Sequence, residues 1–590
     1  KNNLAHTYKI TFFGSTVNLK DILGDDQLAS LVFQNKNEPP TTLNLIYDAA
    51  TVKSKLEEVD GEIIVPLLSH TNPLIYNSNS SAVGVNNLYY SALPAFADNG
   101  VDWKELKFAI KLQSIIDAIQ SKYSLNFSTD FFNDDTNDNF NGLYMWLHRK
   151  KGNVETTSAQ GGFSWTQLND LTETSSTGEF VASVTDGVLT TSSGLINSTL
   201  TLTPNSGQAY SVRVLRNGAV YEQINNVNTP LTLFSGNPIP NGTYAVEVAA
   251  NVNVGFDALN IVWDLEDDPD LCQNCGGTVI FKNASAFSSN LLNQFNISEQ
   301  IPKMKIIDFL SSMFQMFNLT SYVDNSGTIV VKTLDSYYAA GSSSPINIDR
   351  YLDKSKSQVN IALPFKNIIL GYKGLGTLLA EKYNQLNNIE WGTEKYAVDE
   401  NEFTAPADSY KIEIPFEHMQ FERLNDLDNS NPTDILYGVF VDDNFEPYYG
   451  EPLIFYATTY VFGGTQTSIA FRNDSTKEQV TTYNMPSNSL SLIPAGSRKN
   501  INFSLEINEY TLDTTYTGTL FNEYYLNYIK DVFNPSRRLT KVTAYLPMNI
   551  FYNLKLNDLI QLGQDNYKIN SLTTDLTTGK TEFELLNTIL

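Results

Sequence analysis

The chain has 590 residues, 39 basic against 65 acidic, for a formal net charge of −26. That length exceeds what one hydrophobic core organises, so roughly three to five domains are expected, and the negative balance disfavours a protein that grips nucleic acid or an anionic membrane. The 32 Tyr and 33 Phe, among many Asn, Thr and Ser, suit β-rich structure with polar turns.

No stretch approaches the roughly 18–20 apolar residues that cross a bilayer. Residues 1–7 lack the apolar centre of a signal peptide, so none is expected. The first domain is expected at 1–150. It opens with a hairpin, Tyr8 to Gly14 then Val17 to Leu19. It also holds an α/β element whose helix begins in Ser114-Ile115-Ile116-Asp117 and leaves at Leu125. The run Asn133 to Asn139 alternates oxygen ligands as a calcium loop does. The sixth position from Asp135 is Phe140 where such a loop has Gly, and no Glu closes it, so a solvated loop is expected.

Residues 152–281 contain no lysine, and from Phe163 to Leu265 the only basic residues are Arg213 and Arg216. A break this sharp marks a separate module, expected at 163–265. Its alternating runs, such as Ser198 to Leu202, Ala209 to Val214 and Thr243 to Val248, read as strands. Asn217-Gly218 and Asn241-Gly242 read as turns. The expectation is an inserted β-sandwich of jelly-roll type. The acidic run Asp264 to Asp270 reads as its exit linker.

Cys272 and Cys275 are the only cysteines, spaced C-x-x-C. They are the only metal-ligand candidates, yet a structural zinc needs about four ligands. His6, His70, His148 and His418 are scattered in sequence and supply no second half. Two thiols in a turn are the expectation, and no cofactor is expected.

A return segment with a second α/β element is expected at 266–345. Lys305-Ile306-Ile307-Asp308 opens a helix that repeats the Ile-Ile-Asp signature of the first, and Ser321 to Val331 follows as a hairpin. An internal duplication is expected. Residues 346–424 would then begin a second barrel, with strands Phe365 to Tyr372 and Ser409 to Phe416. The Gly371-Tyr372-Lys373-Gly374-Leu375-Gly376 run lacks the spacing and the Lys-Ser/Thr ending of a phosphate loop, so nucleotide binding is rejected. Residues 425–518, rich in Asn, Asp and Pro, read as a β-rich excursion. Residues 519–590 supply a helix from Leu520 to Val532 and the closing strands. Tyr524, Tyr525 and Tyr528 on that helix are interface candidates, since Tyr is enriched in interface cores. No nucleophile motif appears, and nothing singles out one carboxylate pair among 65 acids, so no enzyme is expected.

The final strands carry a resemblance. An Arg-led strand from Arg537-Arg538, a Leu546-Pro547 step, Leu554 to Leu562, then Tyr567 to Leu572 and a last strand after Thr577-Thr578-Gly579-Lys580 follow a set order. That order resembles the closing barrel of tail or baseplate hub proteins of tailed bacteriophages. The resemblance covers the region up to about His148 and Ile301 to Leu590. It implies a mainly β fold with short helices, built as two small hub-type barrels. It further implies a homotrimer in the virion, at the distal tail, joining tail-tube or nozzle proteins to receptor-binding or fibre proteins, with genome DNA passing without specific binding. The module at 163–265 departs from the minimal hub and is a candidate for host-surface glycan contact. The competing expectation is a receptor-binding or tail-fibre protein with a carbohydrate-contacting β-sandwich.

Overall fold

The computed structural model describes residues 19–35, 42–43, 45–79, 88–89, 100–149, 165–178, 182–191, 196–250, 254–267, 277–289, 294–361, 365–398, 407–459, 467–473, 476–490, 499–507, 515–534, 536–575 and 577–588. The fold is mostly β, 46% strand against 19% helix, with several sheets, none of them closed into a barrel among the described residues. The longest helix, Leu112–Tyr123, has 12 residues. The N-terminal hairpin expected from Tyr8 falls almost wholly outside the described residues, and Leu19 begins a short helix, Leu19–Leu23.

The chain divides into two compact units. One comprises Ser158–Asn296 with Asn44–Asp48, and the other holds the rest. In the first, two antiparallel sheets share one hydrophobic core. The six-stranded sheet runs in the order Ala219–Val227, Tyr210–Arg216, Gly242–Ala250, Val188–Thr191, Ala182–Thr185, with Thr166–Gln167 also on Gly242–Ala250. The five-stranded sheet runs Leu231–Ile239, Ile196–Leu202, Ile261–Asp267, Thr278–Asn283, Leu171–Thr177. Strand alternation places every second residue of Ile196–Leu202 in the core. Trp263 lies fully buried among them, and its indole N–H donates to Ser198 Oγ at 2.8 Å, which removes the cost of burying that donor.

Two expectations about this unit are corrected. Its strands continue past residue 265, because Ile261–Asp267 pairs onward with Thr278–Asn283. Lys282 sits in that added strand, so the lysine gap ends before the fold does. Of the two Asn-Gly steps, Asn217-Gly218 is a hairpin turn with both φ positive, 51° and 81°. Asn241-Gly242 instead carries the chain from one sheet to the other, and Arg216 Nη2 donates to the Asn241 carbonyl at 2.6 Å.

In the larger unit the segment expected as an excursion is built into the N-terminal sheets. Ile63–Ile64, Ala109–Lys111 and Leu143–Trp146 continue into Ile454–Thr458 and Met485–Ser487. Leu68–Ser69 pairs in parallel with Pro432–Val439, and Val101–Asp102 in parallel with Ile469–Asn473. The reason is length. Strands of two to four residues gain too little alone and need longer neighbours, and Leu143–Trp146 is buried at all four positions.

The C-terminal strands form an open six-stranded sheet in the order Ile346–Asn347, Leu559–Leu562, Asp565–Asp575, Lys580–Asn587, Arg538–Tyr545, Leu352–Ile361. Val542, Ala544, Ile560, Ile569, Phe583 and Leu585 fill its core. Phe365–Gly374 and Ala407–Glu417, expected to close with these strands, do not join them. They pair in parallel with each other, and Glu394–Ala397 completes a separate three-stranded sheet. A parallel pair needs a crossover, and the segment carrying helix Leu378–Asn387 supplies it.

Both Ile-Ile-Asp segments are helical, in Leu112–Tyr123 and Ile306–Met316. Each is followed by a left-handed residue and then Leu: Ser124 (φ 52°) before Leu125, Asn318 (φ 48°) before Leu319. Beyond that the two diverge. The second enters the hairpin Leu319–Val323 and Ile329–Thr333, while the first leads to a single parallel bridge, Phe127 to Ile329. Phe131, Phe132, Phe140, Phe314 and Phe317 join the two helical segments in one aromatic cluster.

Candidate functional site

In the Gly-rich run rejected as a phosphate loop, Gly374 is explained by one carboxylate. Strand Phe365–Gly374 ends beside Glu417, the last residue of its parallel partner. A Cβ on Gly374 or on Gly450 would overlap Glu417 Oε2, and one on Gly376 would overlap the Tyr448 hydroxyl. Glu417 is fully buried. Its Oε1 accepts from Gly376 N at 3.0 Å and its Oε2 from Glu451 N at 3.2 Å. Burial pushes the carboxyl up to about 7, against the pull of those backbone donors. Above it lies a cleft of about 700 Å³ lined by Lys303, Lys373, Gly374, Gly376, Tyr448 and Glu451, among others. Lys373 Nζ donates to Glu451 Oε1 at 2.5 Å.

His418, next in sequence, points elsewhere. Its ring stacks on Tyr372 with centroids 4.2 Å apart, and its Nε2 donates to Asn502 Oδ1. Burial lowers its pKa to about 3, so the ring is neutral. Gly392, at φ +69°, leaves the room that ring needs.

A second buried group meets the first through Tyr448. His148 Nε2 donates to the Tyr448 carbonyl at 2.9 Å, which fixes the tautomer and leaves Nδ1 to accept from Lys107 Nζ at 3.0 Å. Trp146 stacks on His148 at 4.4 Å, and the His70 ring lies 6.4 Å from that of His148. Burial, then the charge of Lys107, lowers His148 to about 3 and His70 to about 2; burial lowers Lys107 to about 7. Residues that are scattered along the chain thus converge because Ala109–Lys111 and Leu143–Trp146 are neighbouring strands. The only signals in the sequence were the rarity of His and a Gly-rich run without a ligand. The chemistry available here is a change of protonation: burial holds the histidines and Glu417 neutral, so proton uptake by a histidine or proton release by Glu417 works against the fold.

The residues singled out from sequence lie apart from this cluster. Cys272 and Cys275 fall outside the described residues. Among the described residues no group of three His, Cys, Asp or Glu is placed to hold a metal ion. Asp134 in the acidic run accepts from Thr136 and closes a local turn. The helix expected at Leu520 to Val532 opens with a widened π turn, Phe521–Tyr525, before Leu526–Val532. Tyr525 is buried and donates to the Gln315 carbonyl. Tyr524 accepts from Asn139 Nδ2 at 3.0 Å and meets Phe317 edge-on. Tyr528 lines a cleft of about 750 Å³ with Tyr338, Asp531 and Lys568, where Asp531 pairs with both Arg537 and Lys568. No protein-family model matches this chain, and no curated protein sequence matches it.

Proposed function

We propose that the chain is a structural virion protein of a tailed bacteriophage, a hub at the distal tail that joins tail-tube or nozzle proteins to receptor-binding proteins. The observation that carries this reading is the C-terminal sheet, whose strands follow the order that resembles the closing barrel of tail hubs. In this reading the chain assembles as a homotrimer, its open C-terminal sheet taking the place of the closing barrel of a hub, and the inserted unit is a β-sandwich serving attachment. The net charge of −26 suits a conduit whose wall repels phosphate, so DNA passes without sticking. Of the three interface candidates, Tyr528 lines a cleft beside Asp531 and Lys568. The role is non-enzymatic. The second reading, a receptor-binding protein, draws on the exposed aromatic edge of the inserted unit described below.

Localisation tests the proposal. Antibody labelling or a reconstruction of intact virions is expected to place the chain at the tail tip with threefold symmetry, and native mass measurement is expected to give a trimer. A chain found in the capsid shell, or present in infected cells and missing from particles, overturns it. An elongated rod in place of a ring favours the fibre reading.

A further inference from the structure

The inserted unit has one side where two sheet edges follow each other in the chain: Ala219–Val227 ends the six-stranded sheet and Leu231–Ile239 ends the five-stranded sheet. Both edges are irregular, and their irregularities meet. In the first, pairing steps from Val214–Glu222 to Leu215–Val220, which leaves Tyr221 as an extra residue. In the second, pairing jumps from Ser198–Asn237 to Leu200–Leu233, and the residues between, Phe234, Ser235 and Gly236, have φ of 65°, 45° and 80°. A left-handed backbone is costly for Phe and Ser and natural only for Gly. Bulges on sheet edges re-aim side chains, and backbone outliers of this kind gather at ligand sites.

The side chains re-aimed here are aromatic. The rings of Tyr221 and Phe234 lie 6.1 Å apart at 37°. Tyr221 is 39% exposed, and its inner edge rests on buried Tyr244, which in turn rests edge-on against Trp263. An exposed ring is thereby held rigid from the core outward. Glu222, the next residue, is exposed and shares that side through its pairing with buried Val214, while Gln223, paired with Arg213, turns to the outer face. An apolar ring next to a carboxylate acceptor matches the two-sided chemistry of a sugar ring, whose C–H face is apolar and whose rim carries hydroxyls that can donate. Charge narrows the class further. Between residues 158 and 296 twelve acidic residues face three basic ones, Arg213, Arg216 and Lys282, and both arginines are engaged. Arg213 pairs with Glu247 under the Trp165 ring, and Arg216 holds the Asn241 carbonyl. The unit has little to offer an anion.

We propose that Tyr221 and Phe234 form the platform of a binding site for a neutral saccharide. This rests on reading the inserted unit as an attachment module, and its test is independent of where the chain sits in a virion. Full-length protein is titrated by ligand-observed NMR with maltotriose, cellotriose, chitotriose and galactotriose, and with trigalacturonate as the anionic control. At least one neutral trisaccharide is expected to bind with Kd below about 10 mM. Tyr221→Ala is expected to weaken it by about tenfold or more, and Tyr221→Trp to retain it. Near-ultraviolet circular dichroism and the thermal transition of each variant separate lost binding from lost folding, and Tyr221→Trp, which keeps the ring, decides the matter if Tyr221→Ala unfolds. Absence of neutral binding, preference for trigalacturonate, or binding untouched by a folded Tyr221→Ala overturns the proposal. Binding by a chain that is absent from the tail tip overturns the hub reading and leaves this site standing.

Discussion

The two units bury different chemistry. Among the described residues of the inserted unit the buried polar ones are Thr191, Ser198, Ser211 and Asn283, all uncharged and all hydrogen-bonded. Asn283 alone accepts from Ile261 N and donates to the Asp257 and Ser285 carbonyls. The larger unit buries His70, Lys107, His148, Glu417 and His418, and leaves His418 Nδ1, Trp146 Nε1, Trp391 Nε1 and Asn500 Nδ2 without partners. A satisfied neutral core responds to pH weakly. A core holding titratable groups away from their ordinary pKa ties its stability to protons.

The widest gap between the units is expected on acidification. His70, His148 and His418 are held near 2–3, below the ordinary 6.5. The stability gained from keeping them neutral is full above pH 6.5 and is lost as pH falls toward 3. Each carries on the order of 5 kcal/mol in full. Calorimetry from pH 7 down to pH 4 should show the larger unit's transition falling steeply while that of the inserted unit stays put. Parallel loss of both transitions breaks the contrast.

Trp263→Ala attacks the other side. It removes the largest core side chain of the inserted unit and strands Ser198, at a cost of about 3–5 kcal/mol. Denaturant unfolding should show only the inserted unit's transition shifted. Glu417→Gln comes next. The Glu417 carboxyl, raised to about 7, contributes stability that is full below the ordinary 4.5 and lost as pH rises to 7. This runs opposite to the histidines and amounts to about 3 kcal/mol. The variant should flatten that slope between pH 5 and 8 and leave the inserted unit unchanged. The smallest effect is Asn217→Ala, which places a Cβ-branched-free but still chiral residue at φ 51° and deletes the acceptor for Thr243 N. A loss of about 1–2 kcal/mol confined to the inserted unit is expected from thermal melts.

How much of this could be read in the sequence follows the same division. The alternation of Ile196–Leu202 and the Asn217-Gly218 turn are local signals, and the strand and hairpin they announce are present. The paired Ile-Ile-Asp helices are likewise local. The larger unit is held by pairings that no window of sequence contains. Two residues, Leu68 and Ser69, make a strand only because Gly438 and Val439 lie beside them. The convergence of His70, Lys107 and His148 was hidden for the same reason. The Gly371 to Gly376 run was visible but unreadable, since the groups that crowd its glycines stand further along the chain, Thr393 at Gly371, Glu417 at Gly374 and Tyr448 at Gly376.

Those distant pairings also set a schedule. A ribosome adds roughly 5–20 residues per second, so the 370 residues between Leu68 and its partner Gly438 take on the order of 20–70 s to make. Through that interval Leu68–Ser69 and Val101–Asp102 wait without their partner strands, and Leu143–Trp146 has only one of its two. The inserted unit, whose two large sheets lie wholly between Thr166 and Asn283, has the strands of both long before. The middle of the chain is therefore the first part able to fold, and the beginning is among the last, which makes nascent N-terminal segments the natural clients of any chaperone the cell supplies.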